Sequence, residues 1–222
     1  MKSIGFLARF GNETVGSDTN NIMIQYTNIP LHNYDVELGE FYIYFKTQLE
    51  RRVENLSPEL SNKIIQKIFE LFSNVFRHSC SELGLFCSGQ CYPRSNKFYF
   101  TIVDGGITIK NNVNRFLNKK RRLSFLKNKN EKNGLECIQW SLEEKNSTTG
   151  EGGGLGLSLL KALIIKSDGE LDIISNDGYY SIKDKKESGE ILNKPFNGTI
   201  ISIGLDTNTE KYYYLSGEQN DN

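Results

Sequence analysis

The stretch Gly150-Glu151-Gly152-Gly153-Gly154-Leu155-Gly156-Leu157 decides how the rest of this chain is read. Glycine holds the alternate positions Gly150, Gly152, Gly154 and Gly156, and an apolar helical pattern begins directly after them. Ordering glycine costs more backbone entropy than ordering any other residue. A run of it therefore marks a tight turn, a close approach or a flexible linker. Leu155, Leu157, Leu159, Leu160, Leu163 and Ile164 read as a buried helix. The free N–H groups and the positive dipole end of such a helix form an anion site, which favours a phosphate cradle. Two better-known phosphate motifs are excluded. A P-loop ends in Gly-Lys-Ser/Thr, which never occurs here. A Rossmann fingerprint follows a strand and carries a third glycine where Leu155 stands.

Two further motifs lie upstream. Ser57-Pro58 is a good N-cap and first-turn pair, and Leu60, Ile64, Ile65, Ile68, Phe69, Leu71, Phe72, Val75 and Phe76 keep a helical period to about Ser79. The other face carries Lys63, Lys67, Glu70, Asn74, Arg77 and His78. Glu70 and Asn74 are spaced i and i+4, so they share one side of the helix. Such a stripe is a solvated polar face or a functional pair. Downstream, Phe98 to Val103 is an aromatic and β-branched strand broken by Asp104-Gly105-Gly106. The Asp either opens a turn or presents a fixed acceptor to a ligand lying across the glycines.

In this order, Glu70-Leu71-Phe72-Ser73-Asn74, Asp104-Gly105-Gly106 and the Gly150–Leu157 run resemble the N, G1 and G2 boxes of the GHKL ATPase superfamily. That group includes gyrase, the heat-shock chaperone ATPases, the histidine kinases and the mismatch-repair ATPases. Asn197-Gly198-Thr199, opening the strand Ile200 to Leu205, is similar to the Gly-Thr of the family's late strand. The resemblance covers Ser57 to Asp206. It implies a two-layer α/β sandwich, with a mixed, mainly antiparallel sheet and helices on one face.

The resemblance also implies a division of labour. Asp104 would accept from the adenine amino group, supported by Thr199, with Gly106 beside it. Asn74 would offer its amide oxygen to Mg²⁺, a hard ion that leans on substrate phosphates and water. Gly150, Gly152, Gly154, Leu155 and Gly156 would bring backbone N–H groups to the phosphates of ATP. Glu70 would orient or deprotonate the attacking water. The expected activity is Mg²⁺-dependent ATP binding with slow hydrolysis driving a lid-gated switch. A kinase acting in trans on a histidine or serine of a protein partner stays open, and so does a non-catalytic ATP sensor. Two departures stand out. Thr108 replaces the second glycine of the G1 pattern, where a branched side chain would narrow the adenine pocket or redirect the lid. No phosphoacceptor helix accompanies His32 or His78, the two histidines of the chain.

The 222 residues carry 27 basic and 27 acidic side chains, so no charge excess points to nucleic acid. The balance hides an asymmetry: from Lys110 to Lys132 there are nine Lys or Arg and a single acid, Glu131. This segment lies where the superfamily carries its lid, over about residues 107–153. It reads as a solvated loop, or as a contact for phosphates or an acidic partner. Phe116 and Phe125 alone do not make a base-stacking surface, so nucleic acid is not expected. No apolar run approaches the ~20 residues of a membrane helix, and Met1 to Phe10 lacks a signal pattern, so a soluble, cytoplasmic protein is expected. Cys80, Cys87, Cys91 and Cys137 form no Cys-x-x-Cys pair and read as buried thiols rather than zinc ligands or disulfides.

Around the ATP-binding unit at 57–206, the reading places a strand and helix extension at 1–56 and a polar tail at 207–222. Expected elements are a strand at Ile22–Ile29, a helix over Val36–Val53 and a short helix over Glu131–Glu144, in the lid. A hairpin of Glu170–Ser175 and Tyr179–Lys183 would turn at Asn176-Asp177-Gly178. Residues from Glu210 are expected to fray. A homodimer is left open.

Overall fold

In the computed structural model, residues 23–30, 34–78, 81, 83–123, 131–144, 146 and 155–218 are described. The chain runs through β1 (Met23–Ile29), α1 (Tyr34–Glu50), α2 (Pro58–His78), β2 (Leu85–Tyr92) and β3 (Lys97–Asp104). It continues through α3 (Ile109–Leu123), α4 (Gly134–Leu142), α5 (Leu155–Lys166), β4 (Glu170–Lys183) and β5 (Lys186–Asp206). The five strands make one sheet in the order β1-β2-β3-β5-β4. Among the described residues every strand pairing in it is antiparallel, where a mixed sheet was expected. Among the described residues the one parallel contact is the isolated bridge Leu56–Tyr213.

Side-chain alternation fixes which face is covered. On β3, Phe98, Phe100, Ile102 and Asp104 are buried, whereas Lys97, Tyr99, Thr101 and Val103 are half-exposed. The buried set joins Phe41, Phe45 and Leu49 of α1, the apolar stripe of α2, and Leu160, Leu163 and Ile164 of α5 in one core. Phenylalanines form its centre: rings are 4.4 Å apart for Phe45–Phe100, 5.4 Å for Phe41–Phe72 and 4.9 Å for Phe69–Phe72. Each such fully buried side chain contributes about 1.5–3 kcal/mol. Ser57 caps α2, its Oγ accepting the Leu60 N–H at 3.1 Å. The two-faced pattern of α1 has a plain cause: Val36 and Ile43 stay exposed while Phe41 and Phe45 turn inward.

The expected hairpin is corrected. Asn176-Asp177-Gly178 is not a hairpin turn, because β4 runs unbroken through it to Lys183. The register slips there and Asn176 takes φ 55°, which makes a bulge. The reversal falls instead at Asp184 and Lys185, both left-handed (φ 50° and 60°), between the paired Lys183 and Lys186. That geometry is the two-residue turn with positive φ at both positions that suits twisted strands. The bulge has another task. A Cβ on Gly178 would collide with the backbone of Gly134, and Asp177 Oδ1 accepts the Gly134 N–H at 2.8 Å, so the N-terminus of α4 docks on this site.

The expected lid contains two packed helices. Lys110 at the start of α3 pairs with Asp177 at 3.0 Å. Buried Asn114 exchanges two hydrogen bonds with the Lys132 backbone, at 2.8 and 2.9 Å. Asn133 and Glu136 form a full capping box on α4. The tail does not fray before residue 218. Tyr213 exchanges backbone hydrogen bonds with Asn55 and Ser57, and its hydroxyl lies 2.7 Å from Asp206 Oδ2 and 2.9 Å from Asp168 Oδ2. The Lys185 ammonium, with Tyr213 and Lys211, holds the Asp168 carboxyl down at about 2. Residues 207–218 thus form a strap across the start of α2. Among the described residues no helix is long and apolar enough to cross a membrane.

Candidate functional site

The register of three strands brings one group of the expected residues together. Asp104 of β3 stands opposite Thr199 of β5, and Thr199 opposite Ser175 of β4. All three are buried, Asp104 to 2% exposure. Asp104 Oδ1 accepts the Gly106 N–H at 2.8 Å, the one side-chain hydrogen bond of this carboxylate among the described residues. Burial pushes the carboxyl up to about 6, with the Gly106 N–H working in the opposite direction. Gly198 takes φ +154°, and a Cβ there would strike the Asp104 backbone carbonyl, so only glycine lets the two strands close beside the carboxylate.

Behind Thr199 lies a hydroxyl relay. Ser175 Oγ is 3.0 Å from Thr199 Oγ1, donates to the Gly198 carbonyl at 3.1 Å and accepts the Ile109 N–H at 2.9 Å. One of the first N–H groups of α3 is satisfied this way. Thr108, the departure from the G1 pattern, is the N-cap of α3: its Oγ1 accepts the Asn111 N–H at 3.2 Å. The branched residue is explained by the helix it starts.

A second group lies at the α2–α5 contact. Glu70 faces the beginning of α5, where a Cβ on Gly156 would lie 2.8 Å from Glu70 Oε1. Its Oε2 accepts from Lys67 Nζ at 2.6 Å. Asn74 follows one turn later on α2, but its side chain lies outside the described residues, as does that of Leu155. Gly150, Gly152 and Gly154 also lie outside them. The structure thus unites Asp104, Gly106 and Thr199 in one cluster and Glu70 with Gly156 in another, and the described hydrogen bonds do not join the two. A groove of about 650 Å³, lined by Glu59, Lys63, Ala162, Lys166, Leu215 and Glu218, lies at the far end of the same helix pair. It holds none of the predicted residues. Among the described residues no three of His, Cys, Asp and Glu gather as metal ligands.

Sequence reasoning missed Ser175, Lys67 and Asp177. Ser175 carries no local signal, since its role follows from a register set by distant strands. Asp177 looked like a turn residue. Lys67 was visible on the polar stripe of α2, and its i, i+3 spacing from Glu70 was the available clue. Compared with known proteins, the chain matches no family model and no curated protein.

Proposed function

We propose that this chain is a Mg²⁺-dependent ATP-binding protein of the GHKL type, with slow hydrolysis at Glu70. The observation that carries the reading is Asp104: a buried carboxylate at a strand end, one oxygen fixed by Gly106 and the other free to accept. The exocyclic amino group of adenine is a donor suited to that oxygen. Thr199, held by Ser175, supplies a hydroxyl beside it. Glu70 would accept the proton of a water attacking the terminal phosphate, at the start of α5, where the first backbone N–H groups have no acceptor within the helix. Asn74 would hold Mg²⁺, which shields phosphate charge when bound.

The switch in this reading is narrower than a lid over 107–153. α3 and α4 are fastened through Ser175, Asp177 and Asn114, so moving them means breaking those contacts. A second reading, a non-hydrolysing sensor, is favoured by the Lys67 ion pair that occupies Glu70. Titration calorimetry with Mg-ATP tests the first claim: binding by the wild type that Asp104→Asn weakens supports it, and no binding refutes it. γ-Labelled ATP then separates hydrolysis, transfer to a partner, and sensing by the fate of the label.

A further inference from the structure

Lys67 lies one turn before Glu70 on α2, and its ammonium is the carboxylate's ion-pair partner. For a lysine on a helix it is well covered, with a side chain 16% exposed against 38% for Glu70. The pair abuts the first turn of α5, since Glu70 Oε1 lies against Gly156. A carboxylate there is stabilised by the positive end of the α5 dipole as well as by Lys67. A phosphate brought to the same helix end meets a negative charge already in place. Two anions share such a position only if a cation sits between them.

We propose that Lys67 is a specificity-determining residue of this site, the cation that lets the terminal phosphate of a nucleoside triphosphate settle beside Glu70. The proposal rests on the ATP reading above and adds what selects a triphosphate over a diphosphate. With a terminal phosphate present, the ammonium turns from Glu70 Oε2 to the phosphate oxygens. Glu70 is then free to face water. With a diphosphate the ammonium stays on Glu70, and the two nucleotides differ by one charge-assisted contact.

The test is calorimetry with Mg-ATP and Mg-ADP on the wild type, Lys67→Met and Lys67→Arg, with thermal melts to show that each is folded. Methionine keeps the length and packing of the stem; arginine keeps the charge. Lys67→Met is expected to weaken ATP about ten- to a hundredfold while changing ADP less than about twofold, and Lys67→Arg to recover most of the loss. A residue that only supports α2 would move both nucleotides together. Parallel losses for ATP and ADP, or no loss for either, overturn the role of Lys67. Failure of the wild type to bind either nucleotide overturns the ATP reading, and this proposal with it.

Discussion

Asp104 should make the protein less stable at neutral pH than a neutral residue would in its place, and Asp104→Asn measures by how much. The carboxyl is 2% exposed and burial pushes it up to about 6, from an ordinary value of 3.8. The folded state therefore holds the proton more tightly than the unfolded state. The stability this contributes is fully present below about pH 3.8 and is lost as pH rises through about 6. The difference between those two values corresponds to roughly 3 kcal/mol across the window. Asparagine has no charge to desolvate, and its Oδ1 can still accept the Gly106 N–H. Urea unfolding of both proteins at pH 5 and pH 8 separates the terms. The mutant should gain roughly 1.4 kcal/mol on the wild type between pH 5 and pH 8, about half of the full span, because the rest is lost below pH 5. A difference that stays constant with pH would refute the claim that a buried, ionising carboxylate sits at this strand end. The same mutant should lose ATP affinity, so one substitution would raise stability and lower binding.

Other outcomes follow from the same geometry. Glu70→Ala should leave Mg-ATP binding near normal and slow hydrolysis by roughly 10²–10⁴-fold in a phosphate-release assay, the scale of a lost general base. Asn74→Ala should weaken ATP chiefly when Mg²⁺ is present, and equal losses with and without the ion would remove it as a ligand. Amides of Ile109–Leu123 and Gly134–Leu142 should exchange slowly even without nucleotide, because both helices are docked on β4; fast exchange there would mean that the docking does not persist. Gly178→Ala should destabilise the protein by about 1–3 kcal/mol in urea, since its Cβ has no room against Gly134.

The sequence is readable wherever one residue's neighbours along the chain determine its role. The period of α2, the strand that ends at Asp104 and the N-cap Ser57 are local facts, and the structure places them as read. The failures occur where a residue's partner is remote. Asn176-Asp177-Gly178 has the composition of a turn, but tertiary contacts outweighed it: α4 needs a residue without a Cβ at Gly178 and an acceptor at Asp177. The true reversal, Asp184-Lys185, is weakly marked because lysine is a poor left-handed residue, held there by the flanking pairs. The basic segment shows the same limit from the other side. Composition reads Lys110–Lys132 as a charged loop, yet Lys110 answers Asp177 and Asn114 fastens Lys132, pairings no periodicity announces. The strap at 207–218 is polar in sequence and ordered in space because Tyr213 finds two carboxylates and a backbone bridge. In the candidate site, Asp104 and Glu70 stand out in the sequence as candidates. What acts on them, Ser175 behind Thr199 and Lys67 beside Glu70, emerges only once register and helix packing bring the partners together.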